Sequence, residues 1–189
     1  NMAINPLNAI SKWKILDNMR RSLLQPAIFL TLMLGMTVLP GPVWLWVSLG
    51  VLTLAFPLVM DVIGNFLSGG DGAGSSTKLA DALFGARSLT WQIALSFVFL
   101  AHQAYLMADA IVRTIIRVAF THKNMLEWVT AADAERSFRG QLSDFWRKMW
   151  PGIAVAAFFL GWVAFFNPAL WAGATALSIL WGLSPWIAY

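Results

Sequence analysis

Two pairs of apolar runs, each joined by a short uncharged proline turn, decide what this chain can fold into. The first pair, Ser22 to Leu39 and Val43 to about Ile63, meets at "LPGP", Leu39 to Pro42. The second, Trp150 to Phe166 and Pro168 to about Ala188, meets at "FNP", Phe166 to Pro168. A helix needs ~20 mostly apolar residues to cross a bilayer, with ~17 tolerable. All four runs meet that length, and links this short make each pair an antiparallel hairpin. Pro26, Pro151 and Pro168 suit first helical turns, where the missing N–H costs nothing. Pro57 would kink the second helix near its end.

Composition agrees with this membrane reading. The 189 residues are 59% hydrophobic and 12% charged, whereas a soluble domain carries about a quarter charged residues. Eleven Trp and thirteen Phe fit a chain with two membrane–water interfaces, where Trp collects. The absence of cysteine excludes a disulfide framework, a thiolate zinc site and a thiol nucleophile. Residues 1–10 begin with Asn1 and are neither a basic nor an apolar leader. The last residues, "LWGLSPWIAY", run out inside an apolar stretch. The chain therefore reads as a portion of a longer polypeptide.

Between the hairpins, "SGGDGAGSS" (Ser68 to Ser76) has the composition of a flexible linker. It lacks the Lys-Ser/Thr and the preceding strand of a phosphate loop. The following stretch, Ser88 to Phe120, is long enough to span but one-sided. At 100° per residue its polar side chains apart from Thr90, among them His102, Asp109, Arg113 and Arg117, fall within ~140° of arc. That pattern predicts a helix lying along the membrane surface, with insertion as the alternative. Charge chooses between them. Lys12, Lys14, Arg20 and Arg21 precede the first run, and neither hairpin turn carries a charge. Positive segments stay inside, so both turns are expected outside and both ends of the chain in the cytoplasm. Residues 113–148 hold seven Lys or Arg against four acids, and a surface helix at 88–120 keeps that block inside too. The expected fold is thus all-α integral membrane. Its parts are a cytoplasmic leading segment (1–21), a first transmembrane hairpin (22–63), a flexible cytoplasmic linker (64–87), an amphipathic interfacial helix (88–120), a cytoplasmic polar connector and helix (121–149) and a second transmembrane hairpin (150–189).

No catalytic constellation is legible. His102 and His122 have no second metal ligand at helical spacing, and no paired-carboxylate motif occurs. Asp109 and Arg113 read as a helix-surface pair, and Asp61 as a solvated residue at the end of its span. His102 reads as water-facing or as an interhelical donor. In the connector, Thr130 and Asp133 mark a helix start near Ala131. There, His122, Lys123, Glu127 and Trp128 form the most suggestive group. An indole stacks on the C–H face of a sugar while a neighbouring base and acid bind its hydroxyls. The plainer reading is a Trp anchored in headgroups beside solvated charges.

Two stretches, "SKWKILDNMRRSL" (Ser11 to Leu23) and "HKNMLEWVTAADAE" (His122 to Glu135), resemble the bacterial cyclic β-1,2-glucan synthases, large inner-membrane enzymes. The resemblance extends in order over nearly the whole chain. It implies a UDP-glucose-dependent glycosyltransferase domain upstream, working with a divalent metal, and a glycoside-phosphorylase-like domain downstream. Partners implied are the lipid bilayer, those flanking domains and the growing glucan, with no nucleic acid. The synthases' acidic donor-binding residues and Gln/Arg/Trp acceptor motif have no match here, so catalytic residues and cofactors are expected outside this chain. By looser analogy with the cytoplasmic gating loops of polysaccharide synthases, "FTHKNMLEWVT" (Phe120 to Thr130) would cover a donor site. A small transporter or channel subunit, or a membrane scaffold, is the competing reading. Scarce intramembrane charge speaks against transport.

Overall fold

The computed structural model describes residues 8–68, 75–122 and 140–189, and these are helical apart from short turns. Helix α1 covers Ala9–Gly35, α2 Val43–Ser68, α3 Ser75–Val98 and α4 Leu100–Ile116. A π-helical turn, Arg117–Thr121, extends α4. Helix α5 covers Leu142–Phe166, and after the 3₁₀ turn Pro168–Leu170 come α6 (Trp171–Gly182) and α7 (Ser184–Ala188).

Three stretches are long and apolar enough to cross a membrane: Val43–Met60, Leu142–Phe166 and Pro168–Ala188. A fourth crossing is available if Gly85–Val98 and Leu100–Thr121, bent by 63° at Phe99, act as one broken span. The first predicted span is not among them. Helix α1 begins at Ala9 and ends at Gly35; its apolar part runs only from Ser22, short of the ~17 residues a crossing needs. Pro26 therefore lies deep inside a helix rather than at its start. Pro151 likewise falls ten residues into α5, which starts at Leu142, so the expected connector at 121–149 ends inside the helix that becomes the second hairpin. Pro57 is inside α2 and Pro168 opens its turn, as expected. The expected linker 64–87 is helical at 64–68 and 75–87. Good helix formers such as Leu79, Ala80, Ala82 and Leu83 extend α3 well before the polar stripe begins.

The core joins α1, α4, α5 and α6. Ile28, Phe29, Leu32 and Met33 of α1 pack with Leu100, Ala101 and Ala104 of α4, Ala156, Phe159 and Val163 of α5, and Ala174 and Trp181 of α6. Phe29, Phe159 and Trp181 meet with ring centroids 4.9 to 5.7 Å apart, a geometry worth ~0.5–1.5 kcal/mol per pair beyond simple burial. Lipid is as apolar as these side chains, so close packing and hydrogen bonds, rather than escape from water, hold such helices together. Small residues set the closest approach. A Cβ added to Gly152 would lie 2.8 Å from His102 Cβ and 2.9 Å from His102 Cα, so α4 and α5 touch backbone to backbone there.

The two uncharged turns lie at the same end of the bundle. Asn167 donates through Nδ2 to the carbonyl of Met36 at 3.0 Å, and Trp162 Nε1 donates to Thr37 Oγ1 at 3.4 Å. The first turn is shaped by Gly41, whose φ of 109° is one that only glycine adopts without strain.

Candidate functional site

The expected surface helix at 88–120 is instead two helices, and the start of the second enters the core. Leu100 is fully buried, and Ala101 and Ala104 nearly so. The break at Phe99, with φ −87° and ψ 2°, has no proline or glycine to announce it. What stabilises it comes from 84 residues away. Carbonyls in the last turn of a helix lose their intrahelical donors, and in α3 the Phe97 carbonyl accepts the Trp181 indole N–H at 3.0 Å. Inside a membrane a broken helix persists where neighbours satisfy the freed backbone groups. Trp181 is wholly buried and clasps the break, with the Phe97 ring 6.4 Å from its own.

Three buried polar atoms have no hydrogen-bond partner among the described residues: Gln25 Oε1, Trp46 Nε1 and His102 Nδ1. His102 therefore sits between helices, against Gly152, rather than facing water. Ser178 Oγ, by contrast, is satisfied by the Ala156 carbonyl at 3.0 Å. Asp109 and Arg113 form the expected helix-surface pair at 2.8 Å.

The predicted contact group is only partly visible. His122 is exposed and closes the π-turn in the left-handed conformation, φ 49° and ψ 21°, its N–H bonded to the Arg117 carbonyl at 2.8 Å. Histidine is among the few non-glycine residues that enter this region with some frequency. The helical run thus ends at His122. Lys123, Glu127 and Trp128 lie outside the described residues, as do Thr130 and Asp133, and so does the Asp61 side chain. Among the described residues no group of three or more His, Asp or Glu side chains could hold a metal.

A groove of about 730 Å³ opens between α1 and α2, lined by Arg20, Arg21, Leu24, Leu52, Thr53, Phe56 and Pro57. Sequence reading used these arginines to orient the chain and within the stretch Ser11 to Leu23, not as a site. Their pairing with an apolar wall on the next helix is a tertiary property, with no local signal beyond the charge pair itself.

No family model matches the chain. Over 186 residues, 98% of its length, it is 31% identical to the cyclic beta-(1,2)-glucan synthase NdvB of Rhizobium meliloti strain 1021. The chain matches a segment of a cyclic glucan synthase. It spans 7% of that relative's length, and the aligned stretch includes the helices long and apolar enough to cross a membrane.

Proposed function

We propose that this chain is the membrane region of a bacterial cyclic β-1,2-glucan synthase. The observation that carries this reading is identity along nearly the whole chain in a segment made of apolar helices. In this reading the bundle anchors a UDP-glucose-dependent glycosyltransferase at the inner membrane and guides the growing glucan. The flanking glycosyltransferase and phosphorylase-like domains lie on the cytoplasmic side with both ends of the chain. The uncharged turns at Leu39–Pro42 and Phe166–Pro168 face outward, with α1 crossing by its packing on α4, α5 and α6 rather than by its own short apolar part, and their placement at one end of the bundle supports this orientation. In this reading the divalent metal belongs with donor-binding carboxylates upstream of this chain.

In this reading the connector from Thr121 works nearest the chemistry. Its role would be contact with glucan or donor through His122, Lys123, Glu127 and Trp128. His122, exposed and left-handed at the end of the π-turn, is the one member of this group among the described residues. The test is expression of the full-length protein in a host that makes no glucan, followed by linkage analysis of extracted polysaccharide. β-1,2-linked glucose is the expected product. Its absence from cells that carry folded, membrane-inserted protein would refute the reading.

A further inference from the structure

The groove between α1 and α2 combines two features that one kind of molecule matches. At its mouth stand Arg20 and Arg21, both about three-quarters exposed, sharing one acid: Arg20 Nη2 donates to Asp17 Oδ1 at 2.9 Å and Arg21 Nη2 to Asp17 Oδ2 at 2.7 Å. The Arg20 hydrogen bond, helped by the charges of both arginines, holds the Asp17 carboxyl below its ordinary pKa. Among the described side chains, two cations stand against one anion and leave the mouth positive. Each guanidinium has five N–H donors, and among the described residues Asp17 engages only one from each. The remaining donors are available to an anion at the mouth.

Deeper in, the wall is apolar. Leu24 of α1 faces Leu52, Phe56 and Pro57 of α2, and Leu52 and Phe56 are more than half exposed. These α2 residues belong to the Val43–Met60 crossing, whereas the arginines precede the apolar part of α1. At 1.5 Å per residue, Leu24 lies only ~5 Å further along the helix than Arg21. The positive mouth is therefore at headgroup depth and the apolar wall at acyl-chain depth. A soluble anion has no use for the wall, and a zwitterionic lipid neutralises its own phosphate. The volume, about 730 Å³, lies within the ~300–1,000 Å³ of sites that hold small molecules.

We propose that this groove binds one anionic phospholipid, its phosphate held by Arg20 and Arg21 and an acyl chain laid along Leu24, Leu52, Phe56 and Pro57. Basic pockets between membrane helices on the cytoplasmic side recognise acidic headgroups through the same chemistry. The bound lipid would fill the space between α1 and α2 and fix α1, which is not apolar enough to span by itself, against a helix that is. This proposal depends on the chain being in a membrane and not on glucan synthesis, so its test reads no enzymatic activity.

The test is native mass spectrometry of the full-length protein in detergent, titrated with phosphatidylglycerol or with phosphatidylcholine of the same acyl chains. Retention of phosphatidylglycerol is expected to exceed that of phosphatidylcholine by roughly tenfold or more, as two interfacial arginines predict. The double variant Arg20→Gln/Arg21→Gln should lower it to the phosphatidylcholine level. Leu52→Trp, at a position 64% exposed, fills the groove without touching the charges and should also reduce it, with unfolding temperature unchanged. Inorganic phosphate in millimolar excess should not displace the lipid. Equal retention of both lipids, unchanged retention in either variant, or displacement by phosphate would each overturn the proposal.

Discussion

The approach of α4 and α5 at Gly152 can be probed with a single methyl group. An alanine Cβ there would sit 2.8 Å from His102 Cβ and 2.9 Å from His102 Cα. Carbon atoms prefer ~3.5–4.0 Å, so the helices must separate by about 0.7 Å or more. The obstacle is backbone and Cβ, which cannot swing aside as a side-chain tip can. Overpacking of this kind costs ~1–3 kcal/mol, against a helix-propensity gain of ~0.5–1 kcal/mol for Gly→Ala. Gly161, nine residues on in the same helix, has nothing within 4 Å of an added Cβ, so Gly161→Ala keeps only the gain. The two substitutions should therefore differ in stability by ~1–3 kcal/mol, measured as unfolding midpoints of the full-length protein in SDS titration. Adding His102→Ala should not rescue Gly152→Ala, because Cα and Cβ both remain, whereas His102→Gly removes the nearer atom and should recover part of the loss. If Gly152→Ala proved as stable as Gly161→Ala, the contact between α4 and α5 would be wrong.

Three further outcomes follow from the same packing and orientation. Trp181→Phe removes the donor to the Phe97 carbonyl and should cost ~1–3 kcal/mol, while Trp171→Phe, at an exposed site, should change the unfolding midpoint little; equal effects would remove Trp181 from the break. Val38→Cys, exposed in the first turn, should react with an impermeant thiol reagent from the periplasm and Ser143→Cys should not; Val38 is preferred to Gly41 because the φ of 109° at Gly41 would strain a cysteine. Trp128→Ala should lower the initial rate of UDP release from the full-length protein at unchanged folded yield; wild-type turnover would take the connector out of the mechanism.

The apolar runs made α2, α5 and α6–α7 legible as helices able to cross a membrane, because hydropathy over twenty residues is a property of the solvent each helix meets. Helix ends were less legible. Pro26 and Pro151 read as helix starts because proline suits a first turn, yet α1 and α5 run through both. In a packed bundle, the loss of one backbone bond is small against the contacts on either side of it. The polar stripe from Ser88 to Phe120 was real as a pattern, but its period carried no sign of the break at Phe99, which depends on Trp181 across the bundle. Of the predicted contact residues, only His122 falls among those described. The groove at Arg20 and Arg21 escaped sequence reading because its two walls are some thirty residues apart in the chain.

Activity measured with and without the rest of the polypeptide tests the central claim most directly. The full-length protein and the 189-residue chain alone would each be purified into nanodiscs and given labelled UDP-glucose. The account predicts that the full-length protein incorporates label into β-1,2-linked glucan. It predicts that the isolated chain, folded and membrane-inserted, incorporates none. Incorporation by the isolated chain, or failure of a folded full-length protein to make glucan, would contradict a membrane region that serves a synthase without being its catalytic centre.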